Sequence, residues 1–446
     1  MGTSKIFALR VHDNATTPDW QAIWGFDDTF ENDPLWKVDL QDLEGSITGW
    51  PNSTNIDEHD FIILTSDDRH FYCAARFYFN DYNEYADHLF AIDTSGAVVW
   101  NQRGYTLDPF GTPGPEEYRY TEEALVDDGV LYVGHDSPLG VSAYNVSTGQ
   151  ELWTSGVAGE GLLRSMSVSS DGTRLNAPRA VFSGPRLRQF DVATGSLVLD
   201  ELRPNKSIER QYDYEGLLFT LSSKNQLDVY DRDTMDVVWT IDNGPSEGFR
   251  ASRGLPEFEN GRFYFAASTD GANQPYDITK VNLADGAREW NNRYTSAVSS
   301  YTNDFVEHPD LPESIFLFEG TGIARSLLRA DGSQSWSFNY GSLSPYGELM
   351  ACPEYFFYAN GGNSARFFNL SLDGQTNTQI TDPDWLFFKF NVYWAFGQGR
   401  VAAVDMADEI PALRLIQRDD EIPGQPRVLQ ITTEQRSIRR GPGTYF

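Results

Sequence analysis

The sequence is poor in cysteine and in long apolar runs. Its 446 residues contain 2 Cys, Cys73 and Cys352. This count excludes a disulfide framework or a cysteine-based metal site, and we expect two buried free thiols. No run of 18 apolar residues occurs, which argues against a transmembrane helix. The first residues, MGTSKIFALRV, lack the pattern of a secretory signal, so we expect a protein made in the cytoplasm.

Motifs that carry known chemistry are also missing. The sequence has no G-x-S-x-G elbow, Walker loop or H-E-x-x-H pair. Its 6 His residues show no metal-ligand spacing, and we interpret His70 and His135 as ordinary strand residues. The acidic stretch DRDTMD (231–236) lacks the glycine and distal glutamate of an EF-hand and is interpreted as a solvated turn. We therefore predict no metal and no cofactor, although the many carboxylates leave open an enzyme with an unrecognised axial site.

The charge is strongly one-sided. The net charge is −31, because 65 Asp and Glu face 34 Lys and Arg, of which only 6 are Lys. Nucleic acid or an anionic membrane would need a basic face, so both are excluded as main partners. An acidic, Lys-poor composition resembles that of proteins from salt-loving organisms, since molar salt screens repulsion within about 3 Å. An acidic surface in a mesophile is the alternative.

A repeated motif runs along most of the chain. In AYNVSTGQELW (143–153), a short strand leads through a Thr-Gly turn to a strand ending in Trp, and Asn145 lies close enough to bond backbone groups of the turn. Related stretches end at Trp100, Leu199, Trp239, Trp290 and Trp336, with weaker copies around Gly374 and Glu409. The turns lie at positions 96, 149, 195, 235, 286, 332, 374 and 409. A period in the forties that carries strands and turns is typical of propeller blades.

A second column of residues keeps the same period. A short strand with an aromatic residue precedes each motif, with a polar exception around Leu175; the aromatics are Tyr72, Tyr132, Phe219, Tyr264, Phe316, Phe357 and Tyr393. The two columns predict an all-β fold, a single propeller of eight blades with about four strands each. Seven blades is the alternative, if the short last interval marks a broken blade.

The chain divides into three predicted parts. Residues 60–415 form the propeller. Residues 1–59 begin with a strand at 5–11 and continue as an irregular, Trp-rich segment that covers a blade or a neighbour. Residues 416–446 contain a strand at 426–433, expected to pair with the first strand and close the ring, and an Arg-rich tail. Closure removes exposed sheet edges.

The motif Ala-x-Asp-x-x-Thr-Gly-x-x-x-Trp resembles the PQQ-like repeat of quinoprotein dehydrogenases and of the outer-membrane assembly lipoproteins. In that family the Trp packs between neighbouring blades. The resemblance therefore implies structural docking roles for Trp100, Trp153, Trp239, Trp290 and Trp336. It implies a fold more than a function, because one fold hosts many functions. The pattern also has departures: the turns at Gly96, Gly332 and Gly374 are a residue shorter, and the last two copies lack the Trp.

The cofactor of the quinoprotein enzymes does not carry over with the resemblance. Those enzymes hold a quinone over calcium with a disulfide between adjacent cysteines, and this sequence has neither a Cys-Cys pair nor a convincing Glu, Asn and Asp set. The assembly lipoproteins carry a signal peptide and a lipidated Cys near the N-terminus, and neither is found here.

We therefore expect a non-enzymatic propeller that is a structural or interaction component of a larger assembly. The leading interpretation is a virion protein, in or near the tail of a tailed virus of a halophilic or marine host, with copies of itself or other virion proteins as partners. A stand-alone cell-surface propeller that binds a glycan or protein is the alternative, besides the enzyme. Partner binding is predicted for the basic and aromatic end of the chain: Arg436, Arg439, Arg440, Tyr445 and Phe446.

The charge predicts a salt-dependent stability. The melting temperature is expected to rise between low salt and molar KCl or NaCl, because screening relieves repulsion in a chain of net charge −31. Differential scanning calorimetry across that range checks it. A flat or falling melting temperature would remove the argument for a saline environment.

Overall fold

All regular structure that can be described is β-strand. A computed structural model of the chain describes residues 5–13, 20–27, 35–39, 56–67, 69–79, 84–106, 120–135, 140–155, 162–163, 166–180, 185–203, 208–222, 226–242, 253–257, 261–268, 276–294, 303–308, 310–319, 323–339, 348–352, 355–360, 366–375, 377–380 and 401–405. Within these ranges the strands form eight antiparallel sheets. Among the described residues, no helix has the length and apolar composition needed to cross a bilayer. The all-β prediction is confirmed.

Sheet 1 joins the two ends of the described chain. It contains β1 (Lys5–Asp13), β2 (Trp20–Asp27), β3 (Trp36–Asp39) and β34 (Val401–Asp405), in the order β3-β2-β1-β34. β1 pairs with β2 along one edge and with β34 along the other.

Sheet 1 corrects two predictions. Because both edges of β1 are occupied, 401–405 pairs with the first strand, and 426–433 cannot take that place. Residues 426–433 lie outside the described part of the chain. The first 59 residues are also not only a covering segment, because three of their stretches are strands of a sheet. The expected strand at 5–11 is confirmed as β1.

Six of the sheets are simple meanders in which four consecutive strands pair in chain order. Sheet 2 contains β4 (Ile56–Ser66), β5 (His70–Phe79), β6 (Glu84–Asp93) and β7 (Val98–Thr106). Sheet 3 contains β8 (Tyr120–Asp127), β9 (Val130–His135), β10 (Val141–Asn145) and β11 (Glu151–Thr154).

Sheet 4 has shorter strands. It contains β12 (Leu162–Leu163), β13 (Ser167–Val168), β14 (Arg174–Asn176), β15 (Arg179–Ala180), β16 (Arg186–Asp191) and β17 (Leu197–Leu202). β14 and β15 both pair with β16, and β13 and β12 pair with them in turn. The six strands therefore correspond to the four strands of the other sheets. β12 and β13 together take the place of the first strand, and β14 and β15 together take the place of the second.

The remaining four sheets return to the simple plan. Sheet 5 contains β18 (Ile208–Tyr214), β19 (Leu217–Ser222), β20 (Gln226–Asp231) and β21 (Val237–Asp242). Sheet 6 contains β22 (Arg253–Glu257), β23 (Arg262–Ser268), β24 (Tyr276–Asn282) and β25 (Arg288–Tyr294). Sheet 7 contains β26 (Asn303–Val306), β27 (Ser314–Glu319), β28 (Ile323–Leu328) and β29 (Gln334–Asn339). Sheet 8 contains β30 (Glu348–Cys352), β31 (Tyr355–Asn360), β32 (Arg366–Ser371) and β33 (Asn377–Ile380).

Successive sheets lie side by side, as in a propeller. The innermost strands of neighbouring sheets are in contact: β34 lies against β4, β4 against β8, and β22 against β26. The apolar core is divided among the contacts between neighbouring sheets, for example where Tyr212 and Phe219 of sheet 5 meet Phe263 of sheet 6. The propeller prediction is confirmed. The count of eight blades stays a prediction, since 381–400 and 406–446 lie outside the described residues.

The repeated motif builds the same turn in sheet after sheet. In the opening example the Asn145 side-chain oxygen accepts hydrogen bonds from the backbone N–H groups of Ser147 and Thr148, as predicted. The turns at Gly96 and Gly374 are closed by a bond three residues back. The turn at Gly332 is closed by a bond four residues back, as at Gly149, so the sequence reading of a shorter turn there is wrong.

A tryptophan on the outermost strand of a sheet reaches the turn of the next sheet. The indole N–H of Trp100 donates to the carbonyl oxygen of Val146 at 2.7 Å, and that of Trp153 to Val192 at 2.8 Å. The same bond is made by Trp239 (3.3 Å), Trp290 (3.1 Å) and Trp336 (3.1 Å). Each of these five was singled out in the sequence for docking.

Trp36 makes the same contact and was missed in the sequence. Its indole N–H donates to the Thr94 carbonyl at 2.8 Å, across the seam between sheets 1 and 2. A "seam" here is the contact zone of two neighbouring sheets. Trp36 lies outside the region in which the repeat is visible, so no periodic signal marks it.

The indole also requires glycine in the facing turn. At Gly195 the backbone has φ +68°, and a Cβ there would lie 2.4 Å from the Trp153 ring. Any larger residue would therefore be strained in its backbone and would collide with the ring. Trp and Gly form one unit across the seam.

This pairing predicts coupled mutational effects. Trp153→Ala is expected to cost about 3–5 kcal/mol, because a packed indole is removed. Gly195→Ala is expected to cost about 1–3 kcal/mol from the positive φ alone, and more while the indole is present. In Trp153→Ala the additional cost of Gly195→Ala should fall, since the clash is gone. Urea unfolding of the four proteins in this cycle measures the coupling, and additive costs would contradict the contact.

Candidate functional site

The apolar seam between sheets 2 and 3 defines the common arrangement. Sheet 2 contributes Tyr72, Ala91 and Trp100, which face each other across β5, β6 and β7. Sheet 3 meets them with Val126 at the end of β8 and Val146 in the turn. These positions recur by register in the other sheets, so they can be compared seam by seam.

The seam between sheets 4 and 5 replaces these positions with polar residues. Asn176 stands where sheet 2 has Tyr72, Gln189 where it has Ala91, and Leu199 where it has Trp100. On the facing sheet, Asp213 replaces Val126 and Arg232 replaces Val146. The polar exception around Leu175 falls at this point, and the register shows that Asn176, beside Leu175, takes the aromatic position.

A buried hydrogen-bond network fills this seam. Asn176 Oδ1 accepts from Gln189 Nε2 and Gln211 Nε2, both at 2.9 Å. Gln189 Nε2 also donates to Asp213 Oδ2 at 2.7 Å, and the Ser167 hydroxyl donates to the Gln211 carbonyl at 2.8 Å. All five residues are at most 2 % exposed, so the network is shielded from water.

A charge pair lies at the end of the network. Arg232 Nη1 lies 3.3 Å from both carboxylate oxygens of Asp213, and also 3.3 Å from Asp171 Oδ2. Burial raises the pKa of Asp213, while the Arg232 cation and the Gln189 amide act to lower it. Burying an ion pair costs desolvation energy that well-packed apolar side chains would avoid. Local stability alone therefore does not account for the choice of residues.

The tryptophan and its glycine are both absent from this seam. Met235 occupies the glycine position with φ +59°, and it packs with Leu199 against Leu187, Leu218 and Tyr230. Leu199 stands at the tryptophan position, so no docking indole of the described strands faces this turn and Met235 has room for its side chain.

The seam between sheets 6 and 7 is charged in a related way. Lys280 stands at the Ala91 position, opposite Trp290. Arg329 takes the turn position of Val146, and its Nη2 contacts Glu307 Oε1 at 2.5 Å. The Lys280 ammonium donates to the Arg329 carbonyl at 2.9 Å, the same oxygen that accepts the Trp290 indole N–H.

A surface cleft opens at this seam. Its volume is about 660 Å³ and its lining includes Arg262, Tyr264, Lys280, Glu289 and Arg329. Glu289 lies 3.2 Å from Lys280 Nζ and also contacts Arg262 Nε. Burial raises the pKa of Tyr264, and the Glu289 and Glu307 carboxylates add to the shift. The arrangement offers charged donors over a buried aromatic ring and fits recognition of a polar group.

The other sequence candidates have structural surroundings or lie outside the described residues. Within the described part of the chain no group of three or more His, Cys, Asp or Glu residues is placed to hold a metal ion. Asp231 accepts hydrogen bonds from the backbone N–H groups of Asp233 and Thr234, which makes it a turn residue. His70 begins β5 and lies 3.5 Å from the Asp67 carboxylate, and Cys73 is a buried free thiol. The predicted partner-binding residues, Arg436, Arg439, Arg440, Tyr445 and Phe446, lie outside the described residues.

Sequence reasoning missed the two charged seams. A signal was present, since QFDVATG and KVNLADG carry Gln189 and Lys280 where the first two copies have Ala91 and Ala143. Asp213, which accepts a hydrogen bond from Gln189, and Glu307, which pairs with Arg329, lie on or directly after the first strands of sheets 5 and 7, a part of the repeat without a recognisable motif.

The chain was compared with known proteins. Residues 31–205 and 186–345 match the family model described as the outer membrane protein assembly factor BamB. No curated protein matches. The structure of BamB from Moraxella catarrhalis is similar with a TM-score of 0.43 and 13% identity, over 79% of this chain and 89% of that chain. The computationally designed Ika8 protein is similar with a TM-score of 0.50 and 10% identity, over 77% of this chain and 96% of that chain. At 10% identity the similarity to Ika8 supports the fold alone.

Leu199 and Met235 pack against the same apolar cluster, and this arrangement predicts a rescue. Leu199→Trp alone should destabilise, because the indole meets the Met235 side chain, and Met235→Gly alone should destabilise by leaving a gap in the apolar cluster. The double variant should be more stable than the sum of the two costs predicts, by about 0.5–3 kcal/mol. Chemical denaturation measures this, and additivity would mean that the two positions do not share space.

Proposed function

Because this chain belongs to the family of the outer membrane protein assembly factor BamB, we propose that it is a non-enzymatic propeller that works by binding other proteins in a larger assembly. Propellers of this family generally mediate protein–protein interaction. The family is that of an assembly factor, and it is this role in assembly, without its membrane setting, that we extend to this chain.

The proposal rests on the observation that the repeated residues hold neighbouring sheets together. Trp100, Trp153 and Trp290, with the glycines that face them, are each occupied in holding one sheet to the next. The repeat thus supplies a rigid support. What varies from seam to seam, such as Lys280 and Arg329, lies at a surface cleft, where a support offers its binding groups.

We extend the proposal to the kind of assembly. A virion of a tailed virus from a salt-loving host, with this chain in or near the tail, agrees with a net charge of −31 and only 6 Lys. Mass spectrometry of purified particles, together with the genes on either side of this one, tests it directly. Neighbouring genes for metabolic enzymes, and absence from particles, would sink this finer form and leave the interaction role standing.

The basic tail supplies a contact for the assembly. Arg436, Arg439 and Arg440 are a cluster of cations in an acidic chain, and arginine binds carboxylates in a bidentate manner. The first strand has no free edge for the tail, because β2 and β34 occupy both. We therefore propose that the tail docks on a neighbouring subunit of this acidic protein.

Removal of residues 434–446 tests the docking. The truncated protein is expected to keep its melting temperature and to lose assembly, measured by analytical ultracentrifugation. A triple Arg→Lys variant keeps the charge and should assemble more weakly, because lysine cannot bind in the bidentate manner. If the truncated protein instead melts early, the tail belongs to its own ring and the docking is wrong.

A further inference from the structure

The outermost strands of sheets 4 and 5 expose pairs of apolar side chains to solvent. Leu197 and Val198 begin β17, and Val237 and Val238 begin β21. All four side chains are between 36% and 58% exposed. Exposed apolar residues that are scattered singly need no explanation, whereas a contiguous group marks a contact surface. These four residues are called the rim patch.

The two halves of the rim patch lie next to each other. Leu199 directly follows the first pair, and Met235 lies two residues before the second pair. Both pack against one apolar cluster, and the Arg203 guanidinium donates to the Met235 carbonyl oxygen at 3.5 Å. The rim patch therefore continues across the seam between sheets 4 and 5.

The same positions are polar in other sheets. The residue two positions ahead of the docking tryptophan is Val237 in sheet 5, but Arg288 in sheet 6 and Gln334 in sheet 7. The residue that follows is Val238 in sheet 5 and Ser335 in sheet 7. Polar side chains fit these positions, so the strand itself does not require the apolar residues of the rim patch.

Exposed carboxylates border the rim patch. The turn before β21 contains Asp233, whose side chain is 89% exposed, and the exposed Asp236, which directly precedes the patch. Arg232 of the same turn is 20% exposed; its Nη1 lies 3.3 Å from Asp213 and Asp171, and its Nε lies 3.8 Å from Asp233. The rim thus presents apolar side chains beside negative charge that is open to solvent.

We propose that the rim patch receives the Arg-rich tail, residues 434–446, of a second copy of this chain. The tail contains aromatic and cationic residues that complement this surface: Arg436, Arg439, Arg440, Tyr445 and Phe446. The two aromatic rings cover the exposed valines and leucine, and the guanidinium groups bind the carboxylates of the turn. Aromatic and Arg residues dominate the binding energy of interfaces. The inference rests on the proposed docking of the tail on a neighbouring subunit and names the surface that the tail contacts.

Self-association of the full chain tests the rim patch. Val237→Thr combined with Val238→Thr keeps the branched shape and the strand preference of both side chains while making them polar. Sedimentation velocity is expected to show association weakened by about tenfold or more at an unchanged melting temperature. Val99→Thr is the matched control, because Val99 is 43% exposed and precedes Trp100 as Val238 precedes Trp239, and it should associate normally. Normal association of the double variant would overturn the proposal.

Charge reversal tests which groups meet. Asp233→Arg combined with Asp236→Arg in the rim should weaken association by about tenfold or more, and so should aspartate in place of all three tail arginines. A chain that carries both sets of changes is expected to associate several-fold more tightly than either, because opposite charges face each other again. No gain in the combined variant would mean that the tail contacts another surface, and the proposal would be wrong.

A mixture separates docking between copies from docking within one chain. The chain without residues 434–446 keeps the rim patch, and the Val237→Thr, Val238→Thr chain keeps the tail. Each alone should associate weakly, whereas an equimolar mixture should form a complex that contains one copy of each. A mixture that stays dissociated would show that the tail does not reach the patch of another copy, and would refute the proposal.

The truncated chain and the patch variant together separate the two levels of inference. If the truncated chain fails to assemble and the patch variant assembles normally, the tail still docks on a neighbour but not on the rim patch. If the patch variant fails and the truncated chain assembles normally, the patch contacts some other part of the second copy, and the tail is the wrong occupant. If the unchanged chain does not self-associate, both the docking and the patch assignment fall, while binding to other proteins of an assembly is left standing.

Discussion

The indole of a tryptophan against the glycine turn of the next sheet is the contact on which the ring depends. Neighbouring sheets of a propeller are held by side chains across their seams, and here one residue supplies both the packing and a hydrogen bond to a backbone carbonyl. The contact restricts the turn to glycine, because a Cβ at Gly195 would lie 2.4 Å from the nearest atom of the indole ring. Where Leu199 replaces the tryptophan, Met235 replaces the glycine, so the two positions change together.

The two charged seams make the faces of neighbouring sheets different from one another, which a strict repeat would not do. Sheets built on one motif have similar faces, and an apolar face packs against any of its neighbours' faces. In the polar seam, Gln189 of sheet 4 donates to Asp213 of sheet 5, and Gln211 of sheet 5 donates to Asn176 of sheet 4, so each of these amides depends on the facing sheet. A mispaired sheet would leave a buried carboxylate or arginine without a partner, which is a large cost. We infer that the polar seam between sheets 4 and 5 fixes which sheets dock.

The structural features that repeat from blade to blade could be predicted from the sequence, and the features that do not repeat could not. The all-β fold, the turns and five docking tryptophans follow from two columns at one period, since every blade meets the same geometric demand. Trp36 makes the same contact without a visible repeat around it, and only the structure places it beside Thr94. The charged seams needed register as well, because Gln189 and Asp213 come from different sheets and no local pattern joins them. The ring-closing strand was assigned to the wrong segment for a similar reason, as pairing between distant strands leaves little trace in either one.

Sheet 1 pairs a strand that is synthesised early with one that is synthesised late. Leu9 of β1 pairs with Val401, which leaves the ribosome nearly 400 residues later. At about 5–20 residues per second, the first strands wait roughly 20–80 s for their partner. Throughout that interval one edge of β1 presents unpaired backbone groups, the kind of surface that recruits other strands. The nascent chain thus passes through a long aggregation-prone stage, and its yield in a cell depends on whatever shields that edge until translation ends.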